Sequence, residues 1–180
     1  LWTTLYALLL ADAYFLPVAG MLPTRFLSGP LDVGTAGFAQ RRPEAIAVVL
    51  AEVEAGGAPA RILAADERYR GASLAGASWE RATGEELASL AEGLGASGLR
   101  AVLEVLLTQG WRASRGLPDL VVLPGEGTRL SELLPSRLPA GPLLVELKGP
   151  GDQLRDEQIV WHHRLVEARV PVELWKVSAL

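Results

Sequence analysis

Two short runs near the C-terminus decide the fold: Gly116–Gly127, "GLPDLVVLPGEG", and Gly141–Leu154, "GPLLVELKGPGDQL". Each contains a compact apolar stretch of strand length, "DLVVLP" and "LLVELK", bounded by the Gly and Pro residues that punctuate elements. Asp119 stands at the entrance of the first strand, and Glu146 and Lys148 stand on the second, 27 residues further on. Residues two apart on a strand share a face, so Glu146 and Lys148 point one way while Val145 and Leu147 point into apolar packing. A core strand requires no charge at all. Two carboxylates around a mostly hydrated hard cation, however, form an ordinary Mg²⁺ site. A lysine beside them can hold an attacking water or neutralise charge that builds on phosphorus. If the two strands are neighbours, Asp119 and Glu146 converge within a few ångströms. Taken singly, Asp after Pro is a common turn residue and Glu-x-Lys is a common exposed face; their combination on two apolar strands followed by a helix is what points to chemistry.

That helix is expected over "DQLRDEQIVWHHRLVEARV", with Asp152 suited to the N-cap. Arg155, Gln158 and His162 recur at spacings of three and four and so share a face near Lys148. Leu154, Trp161 and Leu165 form the apolar stripe beside it. Gln158 is then either a solvated helix residue or a polar group reaching a water or phosphate at the site. Adjacent histidines diverge by about 100° around a helix, so His162 and His163 cannot chelate together, and His163 reads as structural or exposed. "VPVELWKV" is a closing strand. "WRASRG" before the first strand is expected to be a short strand, and residues 124–142 a loop or frayed hairpin tip.

Upstream, the grammar is helical. In "LWTTLYALLLADAYFLPVAGML" the residues Leu1, Leu5, Leu8 and Leu9 recur at helical spacing, and Pro17 and Gly20 lie past the end. Asp12 interrupts the apolar run after 11 residues, too short to span a bilayer, and no basic segment precedes it. This predicts a buried helix rather than a targeting or membrane segment. "PEAIAVVLAEVEAGG", "TGEELASLAEGLG" and "SGLRAVLEVLLTQG" are three further helices; Ala58–Trp79 has too weak a period to place. The order of elements implies an α/β domain with a mixed central sheet. Residues 1–109 form its helical N-terminal part and 110–180 its catalytic core, together one structural domain.

The 180 residues are 49% hydrophobic and contain no cysteine, which excludes a disulfide scaffold and any thiolate metal site and fits an intracellular protein. Net charge is −4, against a stand-alone nucleic-acid binder. The acidity is confined to residues 1–110, with 8 Lys and Arg against 12 Asp and Glu, whereas residues 111–180 balance at 9 and 9. Arg41 and Arg42 could touch phosphate, though adjacent arginines among so many acids are more often solvated or salt-bridged. Trp111 and Trp175 read as core residues rather than base-stacking platforms. The chain begins at Leu1 without a methionine, as a piece of a longer protein would.

The pattern PD-(x26)-ExK is the signature of the PD-(D/E)xK, restriction-endonuclease-like nuclease fold. The run "GLPDLVVLP…LLVELKGPGDQLRDEQIVWHHRLVEARVPVELWKV" resembles the VRR-NUC branch of that fold. "TLYALLLADAYF", "GPLD" and "RRPEAI" resemble the start of the nuclease domain of Fanconi-associated nucleases. The resemblance covers most of the chain and is weakest between Ala58 and Thr83. It implies a phosphodiester hydrolase of the phosphodiesterase I type, a structure-selective DNA nuclease of DNA repair dependent on Mg²⁺ or Mn²⁺. Such enzymes trim or cut 5′ flaps and act on interstrand crosslinks. It further implies Asp119 and Glu146 as metal carboxylates, the Leu147 carbonyl as a further ligand, Lys148 as the catalytic lysine and Gln158 as the family's helix glutamine. Arg155, Arg41 and Arg42 become the candidates for DNA contact. Branched or 5′-flap DNA is the implied partner, gripped largely by further DNA-binding domains N-terminal to this module, with no membrane association. The implied compartment is the cytoplasm or nucleoid in a bacterium and the nucleus in a eukaryote.

The chain departs from the family at two places. Relatives carry a further acidic ligand on the N-terminal side, but the first helix here has no glutamate and Glu44 is the first in the chain. Relatives can also carry a basic phosphate-binding residue where Glu157 stands. Two rival readings follow: a junction resolvase of the same fold, which would act as a symmetric dimer, and a catalytically weak or inactive module that binds DNA or protein.

Overall fold

The computed structural model describes residues 1–24, 26–123 and 141–177. It divides into two compact units, Leu1–Ser114 and Arg115–Leu180. The first is helical and built around α1 (Trp2–Tyr14). Leu5, Tyr6, Leu8, Leu9, Leu10 and Tyr14 are each at most 1% exposed. A helix that is apolar around its whole circumference must be enclosed by others, and here α3 (Pro43–Glu54), α4 (Ala58–Tyr69) and α5 (Gly84–Gln109) enclose it. Asp12 reaches solvent and meets Arg61 of α4 at 3.1 Å. Among the described residues no helix is long and apolar enough to cross a membrane.

α2 (Ala36–Gln40) and α3 (Pro43–Glu54) follow, the latter opening on Pro43 where a missing N–H costs nothing. The stretch too weakly periodic to place contains α4 (Ala58–Tyr69), which also opens near a proline. The two helices expected between Thr83 and Gly110 form one element, α5 (Gly84–Gln109), broken at Gly95, whose φ of 65° leaves the helical region. Thr83 caps it reciprocally: Thr83 Oγ1 accepts from the Glu86 N–H, and Glu86 Oε2 accepts from the Thr83 N–H. Gly110 ends it with φ near 80°, and a Cβ there would lie 2.4 Å from the Gly34 carbonyl oxygen. "WRASRG" is a 3-10 helix, Trp111–Gly116, not the expected strand. The reversal at Gly110 and a bond from Ser114 Oγ to the Trp111 carbonyl favour a tight turn over extension.

The second unit carries a three-stranded mixed sheet in the order β1-β2-β3. β1 (Leu120–Val122) runs antiparallel to β2 (Leu143–Lys148), with Leu120 opposite Val145. β2 runs parallel to β3 (Val172–Lys176), with Glu146 opposite Leu174. A parallel pair needs a crossover, and α6 (Asp156–Glu167) supplies it. β2 is the central strand and is buried on both faces. The mixed α/β architecture agrees with expectation. The excursion expected over residues 124–142 falls, for 124–140, outside the described residues.

Two details place the site. Gly116 lets the chain pass tightly by α6: a Cβ there would lie 2.6 Å from Trp161 Cδ1 and 2.7 Å from the Glu157 carbonyl oxygen. Asp152 does not cap α6. Its Oδ2 accepts from the Gly149 N–H at 3.1 Å, closing a local turn, and the helix starts four residues later with Arg155 at its N-cap.

Candidate active site

β2 brings Glu146 and Lys148 to one face, and both are buried, Glu146 at 0% exposure and Lys148 at 9%. A buried charge persists only when paired and hydrogen-bonded. Lys148 Nζ donates to Glu146 Oε1 at 2.7 Å and to Gln158 Oε1 at 3.0 Å. Gln158 Nε2 in turn donates to the same Glu146 oxygen, closing a three-membered polar ring between β2 and α6. Gln158 Oε1 also accepts from the Arg155 N–H at 3.0 Å, so one side chain both satisfies the start of α6 and orients the buried pair. Gln158 is buried in this ring. The solvated-helix alternative for it does not hold.

The ring occupies one oxygen of Glu146. The other, Oε2, is buried and has no hydrogen-bond partner. Asp119 lies one step beyond the β1–β2 register, across from Glu146, and cross-strand neighbours share a face. Its Oδ2 accepts from the Leu147 N–H at 3.3 Å, which ties the carboxylate to the adjoining strand. Asp119 is exposed. One buried, unpartnered carboxylate oxygen beside a second, solvent-facing carboxylate is a donor set of hard oxygens, and it fits a divalent cation that keeps waters of its own. Among the described residues no three His, Asp or Glu side chains gather closely enough to hold a metal by themselves.

The remaining sequence candidates scatter. Arg155 precedes α6, is exposed, and contributes its backbone N–H to Gln158 rather than sharing a helix face with it. Arg41 and Arg42 part company in the first unit. Arg41 is half exposed and 3.5 Å from Asp32, but Arg42 is 1% exposed, 2.9 Å from Asp32 and stacked over the Phe38 ring. Its guanidinium joins a loop to α2 and α3 and is withdrawn from any phosphate outside. His162 is a side chain whose part in the site the spacing only hinted at. It lies one turn beyond Gln158, its Nε2 is buried without a hydrogen-bond partner, and it feels the charges of Glu146 and Lys148. Burial holds its pKa below the ordinary histidine value, the Glu146 charge opposing that effect and His163 and Lys148 adding to it.

A mixed sheet that presents Asp on one strand and Glu-x-Lys on the next, closed by a helix glutamine, is the arrangement of a PD-(D/E)xK nuclease core. The chain belongs to the VRR-NUC domain family, whose model matches residues 55–179. It is 32% identical over 178 residues to the Fanconi-associated nuclease 1 homolog of Oryza sativa subsp. japonica, covering 99% of this chain and 18% of that protein. It is 32% identical to the Fanconi-associated nuclease 1 homolog of Pseudomonas aeruginosa over 94% of this chain and 28% of the relative. Among solved structures it resembles paFAN1 bound to 5′-flap DNA with a gap, with a TM-score of 0.78 and 29% identity over 99% of this chain and 31% of that one. The chain therefore spans less than a third of the length of each of these proteins.

Proposed function

We propose that this chain is the nuclease module of a structure-selective DNA nuclease of DNA repair, hydrolysing phosphodiester bonds at 5′ flaps and in the processing of interstrand crosslinks. The observation that carries the reading is the buried Glu146–Lys148–Gln158 ring beside Asp119. Asp119 and Glu146, with the Leu147 carbonyl, are the groups that would hold Mg²⁺ or Mn²⁺. A cation bound there supplies Lewis acidity toward a phosphoryl oxygen and lowers the pKa of water in its shell.

The chain's own groups do the rest. An ammonium has three N–H donors, and two of Lys148's are committed to Glu146 and Gln158. The third is left for the attacking water or a phosphate oxygen, where a fixed positive charge in a poorly hydrated setting counts most. Gln158 keeps Lys148 and Glu146 in register. In-line attack by water then breaks the phosphodiester and leaves a 5′-phosphate and a 3′-hydroxyl. The acidic balance of the module fits a division of labour in which domains N-terminal to it grip the DNA. Such a protein would act inside the cell, in the cytoplasm or nucleoid of a bacterium or in the nucleus of a eukaryote.

The test is cleavage of labelled 5′-flap DNA and of a four-way junction with Mn²⁺ or Mg²⁺, by the chain and by Asp119→Ala and Lys148→Ala. Flap cutting lost in both variants supports the reading. Preferred cutting of the junction by a dimer would favour a resolvase, and cation-dependent stabilisation without cutting would favour an inactive binding module.

A further inference from the structure

His162 carries a feature that the proposed chemistry does not use. Its Nε2 is buried and unpartnered, and so is Glu146 Oε2. Buried polar atoms are almost always satisfied, by protein or by an ordered water. The Glu146 charge acts on His162, so the two orphans call for a common explanation. The helical phase supports it: Gln158 already grips Glu146 from α6, and His162 is one turn further along the same face. The lone pairs of Glu146 can be assigned in turn. Oε1 receives Lys148 Nζ and Gln158 Nε2 and is filled. Oε2 offers two lone pairs, one for a cation and one for a protein-held donor. A neutral imidazole protonated on Nε2 is such a donor, and Nδ1 is then its acceptor nitrogen.

We propose that His162 is a positioning residue for Glu146, its Nε2–H reaching Glu146 Oε2 through one buried water and fixing the carboxylate for the cation. This rests on the reading of Asp119 and Glu146 as cation ligands. Groups that orient a metal ligand in this way characteristically change metal affinity more than fold. In this role His162 acts through Glu146 and not on the phosphate itself.

The experiment follows the histidine side-chain nitrogens by ¹⁵N NMR in the 180-residue chain, with His163→Ala used to assign the two imidazoles. Mg²⁺ alone is titrated into the parent and into Asp119→Asn, Glu146→Gln, His162→Leu and His162→Gln. The expected result is an Nε2-protonated His162 whose resonances move on Mg²⁺ binding in the parent and not in Glu146→Gln. Mg²⁺ affinity by calorimetry should fall by about tenfold or more in His162→Leu, and the amide donor of His162→Gln should restore most of it, in line with outer-partner effects of ~10–100-fold. If Mg²⁺ binds in an Asp119-dependent way while His162 neither shifts nor alters affinity, the inference is overturned and the cation reading stands. If the parent binds no Mg²⁺, both fall. Unchanged melting temperatures in the two His162 variants exclude misfolding as the cause of a lost affinity.

Discussion

Lys148 Nζ lies 2.7 Å from Glu146 Oε1, and both side chains are almost wholly withdrawn from water. Removing one member of such a pair strands the other charge. Lys148→Met should therefore cost about 3–5 kcal/mol of stability along with cleavage. Glu146→Gln combined with Lys148→Met should recover most of the stability and none of the cleavage. Chemical denaturation of the three proteins measures the first, and the flap assay the second. Equal stability of Lys148→Met and the parent would show that the pair is not buried as described.

Gln158 makes bonds to Lys148, Glu146 and the Arg155 N–H. Gln158→Leu keeps the volume near constant but leaves these groups unpaired, at about 1–3 kcal/mol for a buried polar group. Gln158→Glu is the sharper variant, because it sets a second carboxylate against Glu146. Added Mg²⁺ should raise the melting temperature of Gln158→Glu by more than it raises that of the parent, since the cation screens the new repulsion. An equal rise in both would separate Gln158 from the cation site.

How much of this was legible in the sequence follows the range of the interactions involved. The period of two in "LLVELK" and the Asp before "LVV" gave the strands and their charged face, because strand geometry is local. The pairing of Gln158 with that face was only suggested by helical phase. Asp152 has the chemistry of an N-cap, but it satisfies a turn formed with Gly149 and leaves the start of α6 to Gln158, which no local pattern signals. "WRASRG" resembled a strand because Trp favours sheets, but the left-handed Gly110 before it sets a tight turn that propensity does not encode. α4 was invisible because its buried face is narrow, resting on Ala58 and Ile62. Asp32, ten residues before Arg42, gave no sign that it would hold that arginine in the interior.

The adjacent arginines should therefore behave differently. Arg42→Ala leaves the buried Asp32 facing only the half-exposed Arg41 at 3.5 Å and should cost about 3 kcal/mol. Arg41→Ala should change stability little. If Arg41 meets a DNA phosphate, its removal should lower the slope of log affinity against log salt by about 0.9. Denaturation and a salt series of flap-DNA binding, run on both variants, make the comparison. A salt slope altered by Arg42→Ala in folded protein would contradict its enclosure.

Tyr6 and Tyr14 give the first unit a defined alkaline limit. Burial raises both phenol pKa values well above the ordinary tyrosine value, Tyr6 being further adjusted by Arg42 and Asp32, and Tyr14 by Tyr6. A folded pKa above the unfolded one contributes stability that is fully present below the unfolded value, about 10, and is lost as pH rises beyond it. The folded unit should thus lose stability above about pH 10, with the phenolate absorbance of these two residues appearing only as it unfolds. Tyr14→Phe should reduce that loss while forfeiting the bond from Tyr14 Oη to the Ala75 carbonyl. Phenolate formation by Tyr14 in protein that keeps its far-ultraviolet dichroism would refute the enclosure.

Gly116 tests whether the chain path into β1 sets the position of Asp119. An alanine methyl there meets a backbone carbonyl at 2.7 Å and the Trp161 ring at 2.6 Å, and neither is the free end of a flexible side chain. Gly116→Ala should destabilise by about 1–3 kcal/mol as an overpacked site does. Relief requires the turn before Asp119 to move away from α6, whereas Glu146, Lys148 and Gln158 are tied to one another and stay. The variant should therefore lose Mg²⁺ affinity while the Glu146–Lys148–Gln158 ring, followed by the Gln158 side-chain amide resonances, remains intact. Loss of those resonances together with the affinity would mean that Gly116 supports the whole unit rather than the placement of Asp119.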